Sequence, residues 1–107
     1  MNAETLKGHL DLLLLAAVEA RPAHGYAIAE TLRAQSGNTF DLAEGTLYPA
    51  LHRLERVGLL ASRWSELQGR RRRVYQLTAK GSRALVKRQR EWVDFARAMH
   101  AVVGGRV

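Results

Sequence analysis

The sequence predicts a mainly α-helical protein with one small β-hairpin. The chain has 107 residues, of which 47% are hydrophobic and 25% are charged, and these values fit one folded domain with a core. Apolar residues recur at helical spacing through the first half of the chain, as far as Gly58. Beyond Gly58 the spacing changes to the alternation typical of strands and then returns to helical spacing.

Two helices are predicted in the first third of the chain. From Leu6 to Ala20, apolar residues recur every three or four positions, which indicates a helix with a wide buried face. Arg21-Pro22 ends this helix, because proline has no amide donor and disfavours helical backbone in the residue before it. A second helix is predicted from Gly25 to Gln35, and Ser36-Gly37-Asn38 stops it.

The third predicted helix runs from Glu44 to Val57 and stops at Gly58. Its inward residues are expected to be Leu47, Ala50, Leu51 and Leu54. Pro49 disagrees with a regular helix, since a proline fits only the first turn without the loss of a hydrogen bond. Two alternatives follow: the helix begins after Glu44, or its first turn is irregular.

A hairpin and a long helix are predicted for the rest of the chain. The strands are expected at Leu60–Glu66 and Arg72–Thr78, with a basic turn at Gln68-Gly69-Arg70 between them. A two-stranded hairpin is too small to be stable alone, and Trp64 is expected to cover it against the helices. Thr78 is the predicted N-cap of a last helix that runs to about Val103.

The last helix carries a seam with the seven-residue spacing of a coiled coil. Leu85, Trp92 and Met99 form one row of this seam, and Ala96 and Val103 form another. Gln89 is its polar member. This spacing is typical of a helix that packs on a protein partner, so no membrane partner is expected.

The positive charge is concentrated in the second half of the chain. The net charge is +7, yet residues 1–59 hold five basic and seven acidic side chains, whereas residues 60–107 hold twelve and three. The densest basic run is Arg70–Arg73. Such a run indicates a polyanionic partner, such as nucleic acid. Three short helices followed by a basic hairpin is the order of a winged helix-turn-helix, in which the third helix enters the DNA major groove.

Several other classes of function are disfavoured. The absence of cysteine excludes disulfides, thiolate nucleophiles and cysteine-based zinc sites. The histidines at positions 9, 24, 52 and 100 are scattered, so neither an enzyme nor a metal or cofactor site is expected. The longest apolar stretch, Leu12–Val18, is too short to span a bilayer, and a cytoplasmic protein is expected.

Four runs of residues form a combined signature. They are His24-Gly25-Tyr26-Ala27-Ile28, the segment Gly45–Glu55, Gly69-Arg70-Arg71-Arg72, and Leu77-Thr78-Ala79-Lys80-Gly81. In these runs the sequence resembles the PadR family of bacterial transcriptional regulators, and the resemblance covers nearly the whole chain. It implies a winged-helix homodimer that represses transcription, with helix maintained through Pro49. The single helix after the wing resembles the short subfamily.

The resemblance also implies two regions with different functions along the chain. Residues 1–78 are expected to form a winged-helix DNA-binding domain, and residues 79–107 a C-terminal dimerisation helix. The expected dimer interface consists of Leu85, Gln89, Trp92, Ala96, Met99 and Val103. In PadR relatives an aromatic residue in this region can line a space between the subunits where planar ligands bind. The candidate effector pocket is Trp92, Phe95, Met99 and Leu13, and a plain interface anchor is the alternative for Trp92.

DNA contacts are expected from the third helix, from the wing and from one lysine before the first helix. The candidates are Thr46, Tyr48, His52, Arg53, Arg70, Arg71, Arg72, Arg73 and Lys7. Guanidinium groups suit this role because they form forked hydrogen bonds with phosphate oxygens. The two-residue period of a strand aims Arg71 and Arg73 together with Tyr75, and leaves Arg70 and Arg72 on the other face. For Tyr48, packing between helices is the alternative.

The sequence therefore predicts a homodimeric, sequence-specific regulator of transcription, a repressor that responds to a planar small molecule. Its partner would be double-stranded DNA with a pseudo-palindromic operator. Two alternatives stay open, namely a non-specific architectural nucleic-acid binder and a ligand-binding or protein-interaction module that acts through its long helix.

Overall fold

The computed structural model describes residue 6 and residues 8–105, which form four helices and a three-stranded antiparallel sheet. In chain order the elements are α1 (Leu10–Glu19), β1 (Ala23–His24), α2 (Gly25–Gln35), α3 (Glu44–Arg56), β2 (Leu60–Leu67), β3 (Arg70–Leu77) and α4 (Ala79–Val103). This is a winged helix-turn-helix with a long C-terminal helix, so the predicted fold class is confirmed.

The first two helices largely follow their predictions. Leu6 is helical as predicted, but a turn at Gly8 and His9 interrupts the predicted helix, and α1 begins at Leu10. The α2 helix has the predicted bounds. Its N-cap is His24, whose Nδ1 lies 3.3 Å from the amide nitrogen of Ala27 and accepts its hydrogen bond.

The α3 helix continues through Pro49. Neither alternative from the sequence is correct, because the helix starts at Glu44 and its first turn is regular. Pro49 cannot donate to the carbonyl of Gly45, one turn earlier, but Gly45 is exposed, so water can bond to that carbonyl instead. Helix through the proline is the outcome that the family resemblance implies.

The core lies where α1, α2, α3, the sheet and the start of α4 meet. The largest completely buried side chains are Leu14, Leu15, Ile28, Leu51, Leu54, Leu60, Tyr75 and Leu85. Leu85 was expected in the dimer interface, but it is fully buried within one chain and has no area left for a partner. Its place in the predicted seam is therefore wrong. The seam can begin only after the first turns of α4.

The sheet has the order β1-β3-β2, so the arginine-bearing strand β3 lies in its centre. The β2 and β3 strands pair from Leu60↔Leu77 to Leu67↔Arg70. Gln68 and Gly69, at φ 54° and 75°, form the two-residue turn, and Arg70 belongs to the strand rather than to the turn. The sequence prediction missed β1, which pairs with the base of β3.

The junction between the wing and α4 is closely packed. Thr78 caps α4 as predicted, because its Oγ1 accepts a hydrogen bond from the amide of Gly81 at 2.9 Å. The same hydroxyl donates to the carbonyl of Gly58 at 2.6 Å. Gly81 is buried against Leu59, and a Cβ at residue 81 would overlap the Leu59 carbonyl oxygen. This contact explains the glycine in the run Leu77–Gly81.

Beyond Leu85, α4 projects from the core and exposes large apolar side chains. The exposed apolar residues in this part of α4 include Val86, Trp92, Val93, Phe95, Met99, Val102 and Val103. The helix has 25 residues. Within residue 6 and residues 8–105, no helix combines the length and the apolar character that a bilayer span requires.

Candidate nucleic-acid interface

The α3 helix turns one face to the core and presents the opposite face to solvent. Leu47, Ala50, Leu51 and Leu54 are buried, whereas Thr46, His52 and Arg53 are exposed. Tyr48 is half-buried and packs against the start of α2, where a Cβ at Gly25 would lie 2.6 Å from its ring. Gly25 therefore makes room for Tyr48 between the two helices, and the tyrosine still lies at the edge of the exposed face.

Arg53 forms a bidentate ion pair with Asp11 of α1. Its two terminal nitrogens lie 2.9 and 2.7 Å from the carboxylate oxygens. Arg88 of α4 lies 3.4 Å from the same carboxylate, so Asp11 joins three helices. These hydrogen bonds, from Arg53 above all, hold the pKa of Asp11 below its ordinary value, although burial opposes them. The side chain of Arg53 is 45% exposed, yet its charge is already paired.

One face of the wing carries Trp64 with Arg71 and Arg73. Their guanidinium carbons lie 4.7 and 5.2 Å from the centroid of the Trp64 ring. The predicted pairing of Arg71 and Arg73 on one face is therefore confirmed. Trp64 itself is 55% exposed, so the expectation that it covers the wing against the helices is wrong. Tyr75 fills that role, and its burial raises the pKa of its hydroxyl.

Arg73 is also tied to α3. Its Nε donates to Ser62 Oγ at 2.7 Å, and that hydroxyl donates to Glu55 at 2.6 Å. The carboxylate of Glu55 lies 3.8 Å from Arg73. This network fixes the base of the wing to the C-terminal half of α3, so the two candidate DNA-binding elements keep one relative orientation.

Arg72 lies on the other face of β3 and contacts His24. Its Nη1 lies 2.8 Å from His24 Nε2. Burial and the charge of Arg72 lower the pKa of His24, which favours the neutral imidazole. A neutral imidazole has one acceptor nitrogen, and the contacts with Arg72 and with the amide of Ala27 therefore compete for it. Arg70 stands exposed at the tip of the wing.

A groove of about 560 Å³ separates α3 from the wing. Its lining residues are His24, Gly25, Tyr26, Tyr48, His52, Trp64, Arg70, Arg71, Arg72, Arg73 and Tyr75. The structure thus brings together six of the residues predicted to contact DNA. Thr46 and Arg53 lie on α3 outside this lining, and Lys7 lies outside the described residues. Four guanidinium groups, two imidazoles, three phenols and one indole suit a surface for a phosphate backbone.

Sequence reasoning missed two features of this surface. Arg56 is exposed one turn after His52 on the outer face of α3, and helical spacing from His52 would have found it. His24 and Tyr26 reach the groove because β1 pairs with β3, and a two-residue strand leaves no periodic pattern in the sequence.

A second groove, of about 630 Å³, runs between α1 and α4. His9 meets Trp92 edge to face at 5.3 Å between centroids, and Trp92 lies 6.1 Å from Phe95. The structure thus brings together two of the four candidate effector residues. Leu13 packs against the core and Met99 lies further along α4, outside the groove lining. In the described part of the chain, no three His, Asp or Glu side chains are grouped so that they could hold a metal ion.

Comparison with known proteins agrees with this geometry. Residues 14–87 match the PadR-like family of transcriptional regulators. The chain belongs to this family. The transcriptional regulator Rv3488 of Mycobacterium tuberculosis is 41% identical over 83 residues, which cover 78% of this chain and 72% of that protein.

Solved structures of similar proteins have the same fold. A PadR family transcription regulator from Clostridium difficile R20291 has a TM-score of 0.80 and 33% identity, over 91% of this chain and 100% of that one. The protein smu.1704 from Streptococcus mutans UA159 has a TM-score of 0.80 and 36% identity, over 92% and 89%. PadR regulators bind DNA, and the family is not an enzyme class.

Proposed function

We propose that the protein is a homodimeric repressor that binds a pseudo-palindromic operator and releases it in response to a planar small molecule. The groove between α3 and the wing is the observation that carries the proposal. It is lined by Arg70–Arg73 on one side and by Tyr48 and His52 on the other. The expected cytoplasmic location follows from this role, since the protein must reach operator DNA.

The proposed DNA contacts divide into two groups. The wing arginines bind phosphates, since each guanidinium can form two parallel hydrogen bonds with a phosphate. Thr46, Tyr48 and His52 lie along α3, which enters the major groove and reads base edges or phosphates. Arg53 can contribute only from its exposed half, because Asp11 already binds its guanidinium. Lys7 stays a predicted phosphate contact.

The proposed dimer uses the part of α4 that projects from the core. Of the predicted interface, Gln89, Trp92, Met99 and Val103 are exposed and Ala96 is half-buried, so each has area to bury against a partner. Two chains joined in this way would place their α3 helices about 34 Å apart, one turn of DNA. In this proposal the DNA-binding domain comprises residues 1–78, and the dimerisation helix comprises residues 79–107. The burial of Leu85 means that α4 also completes the core.

The effector is proposed to bind the groove between α1 and α4. Trp92 and Phe95 supply flat apolar area there, and Lys87 and Arg88 supply charge at its rim. A ligand changes DNA binding only if it prefers one dimer geometry over another. Trp92 as a plain interface anchor is the competing role.

Binding to labelled duplexes tests the DNA-binding part of the proposal. Fluorescence anisotropy would compare DNA from beside the protein's own gene with random DNA at physiological salt. We expect preference for the former of at least about 1000-fold. Equal affinity would favour the architectural alternative. Sedimentation equilibrium tests the dimer, since a species of 12.0 kDa at micromolar concentration would contradict it.

A matched pair of variants tests the role of the wing. Replacing Arg70 and Arg71 by alanine should lower the slope of log affinity against log salt by about 1.8, because two phosphate contacts are lost. Replacing Arg83 and Arg90, two exposed arginines of α4, removes the same charge outside the groove and should leave the slope unchanged. Equal effects of the two pairs would contradict contact at the wing.

A further inference from the structure

Trp64 is the exposed aromatic residue of the wing, and its surroundings give it a role beyond packing. We propose that Trp64 is a positioning residue, which holds the guanidinium groups of Arg71 and Arg73 in the geometry that binds neighbouring phosphates. This inference rests on the DNA-binding role proposed above. It adds a residue without charge to the phosphate-binding machinery.

The register of the hairpin places the three residues together. Trp64 pairs with Arg73, and Glu66, two residues along β2, pairs with Arg71. Side chains two residues apart share a face of a strand, so the indole lies beside both arginines. The distances of 4.7 and 5.2 Å from the ring centroid lie well inside the range of a cation–π contact.

The geometry of a guanidinium group lets one side-chain conformer contact an indole and a phosphate at the same time. An aromatic ring attracts the flat face of the group, whereas the five N–H donors point outward in its plane. A phosphate takes its hydrogen bonds from those donors. Arg71 and Arg73 can therefore stay on the indole while they bind DNA, and the freedom of two long side chains is already restricted before binding.

The indole also leaves the charge of Arg71 available. A carboxylate would order the same side chain but would neutralise it, as Asp11 does for Arg53. Glu66 lies opposite Arg71 in β2, yet among the described residues Arg71 forms no ion pair. Arg73 is paired only loosely, at 3.8 Å from Glu55. Trp64 thus orders Arg71 without the loss of its positive charge.

Nothing in the core requires an indole at this position. Trp64 is 55% exposed, and the neighbouring Tyr75 is the aromatic side chain that fills the space under the wing. The side chain instead lines the groove that faces α3, together with Tyr48 and His52. An exposed indole between two arginines at the candidate DNA surface is the arrangement that a positioning role predicts.

A double-mutant cycle on DNA affinity tests the inference. Trp64→Leu should weaken binding of a duplex that the wild type binds by roughly five- to thirtyfold, from two exposed cation–π contacts. Trp64→Phe retains an aromatic face and should lose less. In the Arg71→Ala background Trp64→Leu should lose clearly less than in the wild type, whereas in the Arg83→Ala background it should lose the full amount.

The outcomes separate this inference from the proposed function. If the wild type binds no duplex better than random DNA, the proposed function fails, and this inference fails with it. If the wild type binds its duplex and Trp64→Leu binds equally well, only this inference fails. A weakened Trp64→Leu variant whose loss is the same with and without Arg71 would also overturn it. Thermal unfolding of each variant, followed by circular dichroism, identifies any loss that comes from unfolding.

Discussion

Replacement of Gly81 by alanine tests the packing of α4 against the wing. A Cβ at this position would overlap the carbonyl oxygen of Leu59 and lie 3.0 Å from its carbonyl carbon. That oxygen also accepts a hydrogen bond from the amide of Thr78 at 3.2 Å. The obstacle is therefore backbone that is held in place, and it cannot rotate away as a flexible side chain could.

The expected loss of stability follows from three effects. Overpacking of this kind costs about 1–3 kcal/mol. Weakening of the hydrogen bond from the Thr78 amide to Leu59 adds about 1 kcal/mol. Alanine is preferred to glycine inside a helix by about 1 kcal/mol, which offsets part of the loss. Gly81→Ala should therefore lower the free energy of unfolding by about 2 kcal/mol, a large share of the roughly 5–15 kcal/mol of a typical domain.

Urea unfolding followed by circular dichroism measures this change. The protein concentration must be the same for all variants, because dimerisation would make stability depend on it. Gly45→Ala is the matched control, since Gly45 lies in a helix with open space where its Cβ would stand. That variant should be unchanged or more stable by up to about 1 kcal/mol. A Gly81→Ala protein within about 0.5 kcal/mol of the wild type would refute the reasoning.

Three further predictions concern the site. Asp11→Asn should lower the free energy of unfolding by about 0.5–1 kcal/mol at pH 7, because the pair with Arg53 is partly exposed. Because the pKa of Asp11 is lowered from 3.8, its contribution is present above that pH and is lost as the pH falls further, so urea titrations of the two proteins should converge in acid. Gly25→Ala should destabilise by about 1–3 kcal/mol through its contact with Tyr48, and less in a Tyr48→Ala background; an equal loss in both would rule out that contact. Planar aromatic compounds that enter the α1–α4 groove should quench Trp92, and a broad panel without any quenching would argue against an effector there.

Much of the fold could be predicted because its elements carry strong local signals. The α2 helix has its apolar face and its glycine-containing stop in sequence, and its bounds were correct. Pro49 misled the reasoning from residues alone, since the missing hydrogen bond falls on the carbonyl of the exposed Gly45, where water can take its place. The β1 strand was missed because two residues are too few for any period to show.

The site was less predictable, because its contacts join distant parts of the chain. Asp11 and Arg53 are 42 residues apart, and no local pattern links them. The opposite faces of β3 were predicted correctly, because strand alternation fixes them. The predicted role of Trp64 was wrong. The small hairpin does need an apolar side chain against the helices, but Tyr75 of β3 supplies it.

Because β1 pairs only with the base of β3, we expect the base of the wing to be stiffer than its tip. Val74 and Tyr75 have a neighbouring strand on both sides, whereas Arg70 and Arg71 have one on a single side. Amide hydrogens should therefore exchange slowly at the base and quickly at the tip. Under the proposed function, the base of the wing would stay aligned with α3 while its tip adjusts to the local curvature of a duplex.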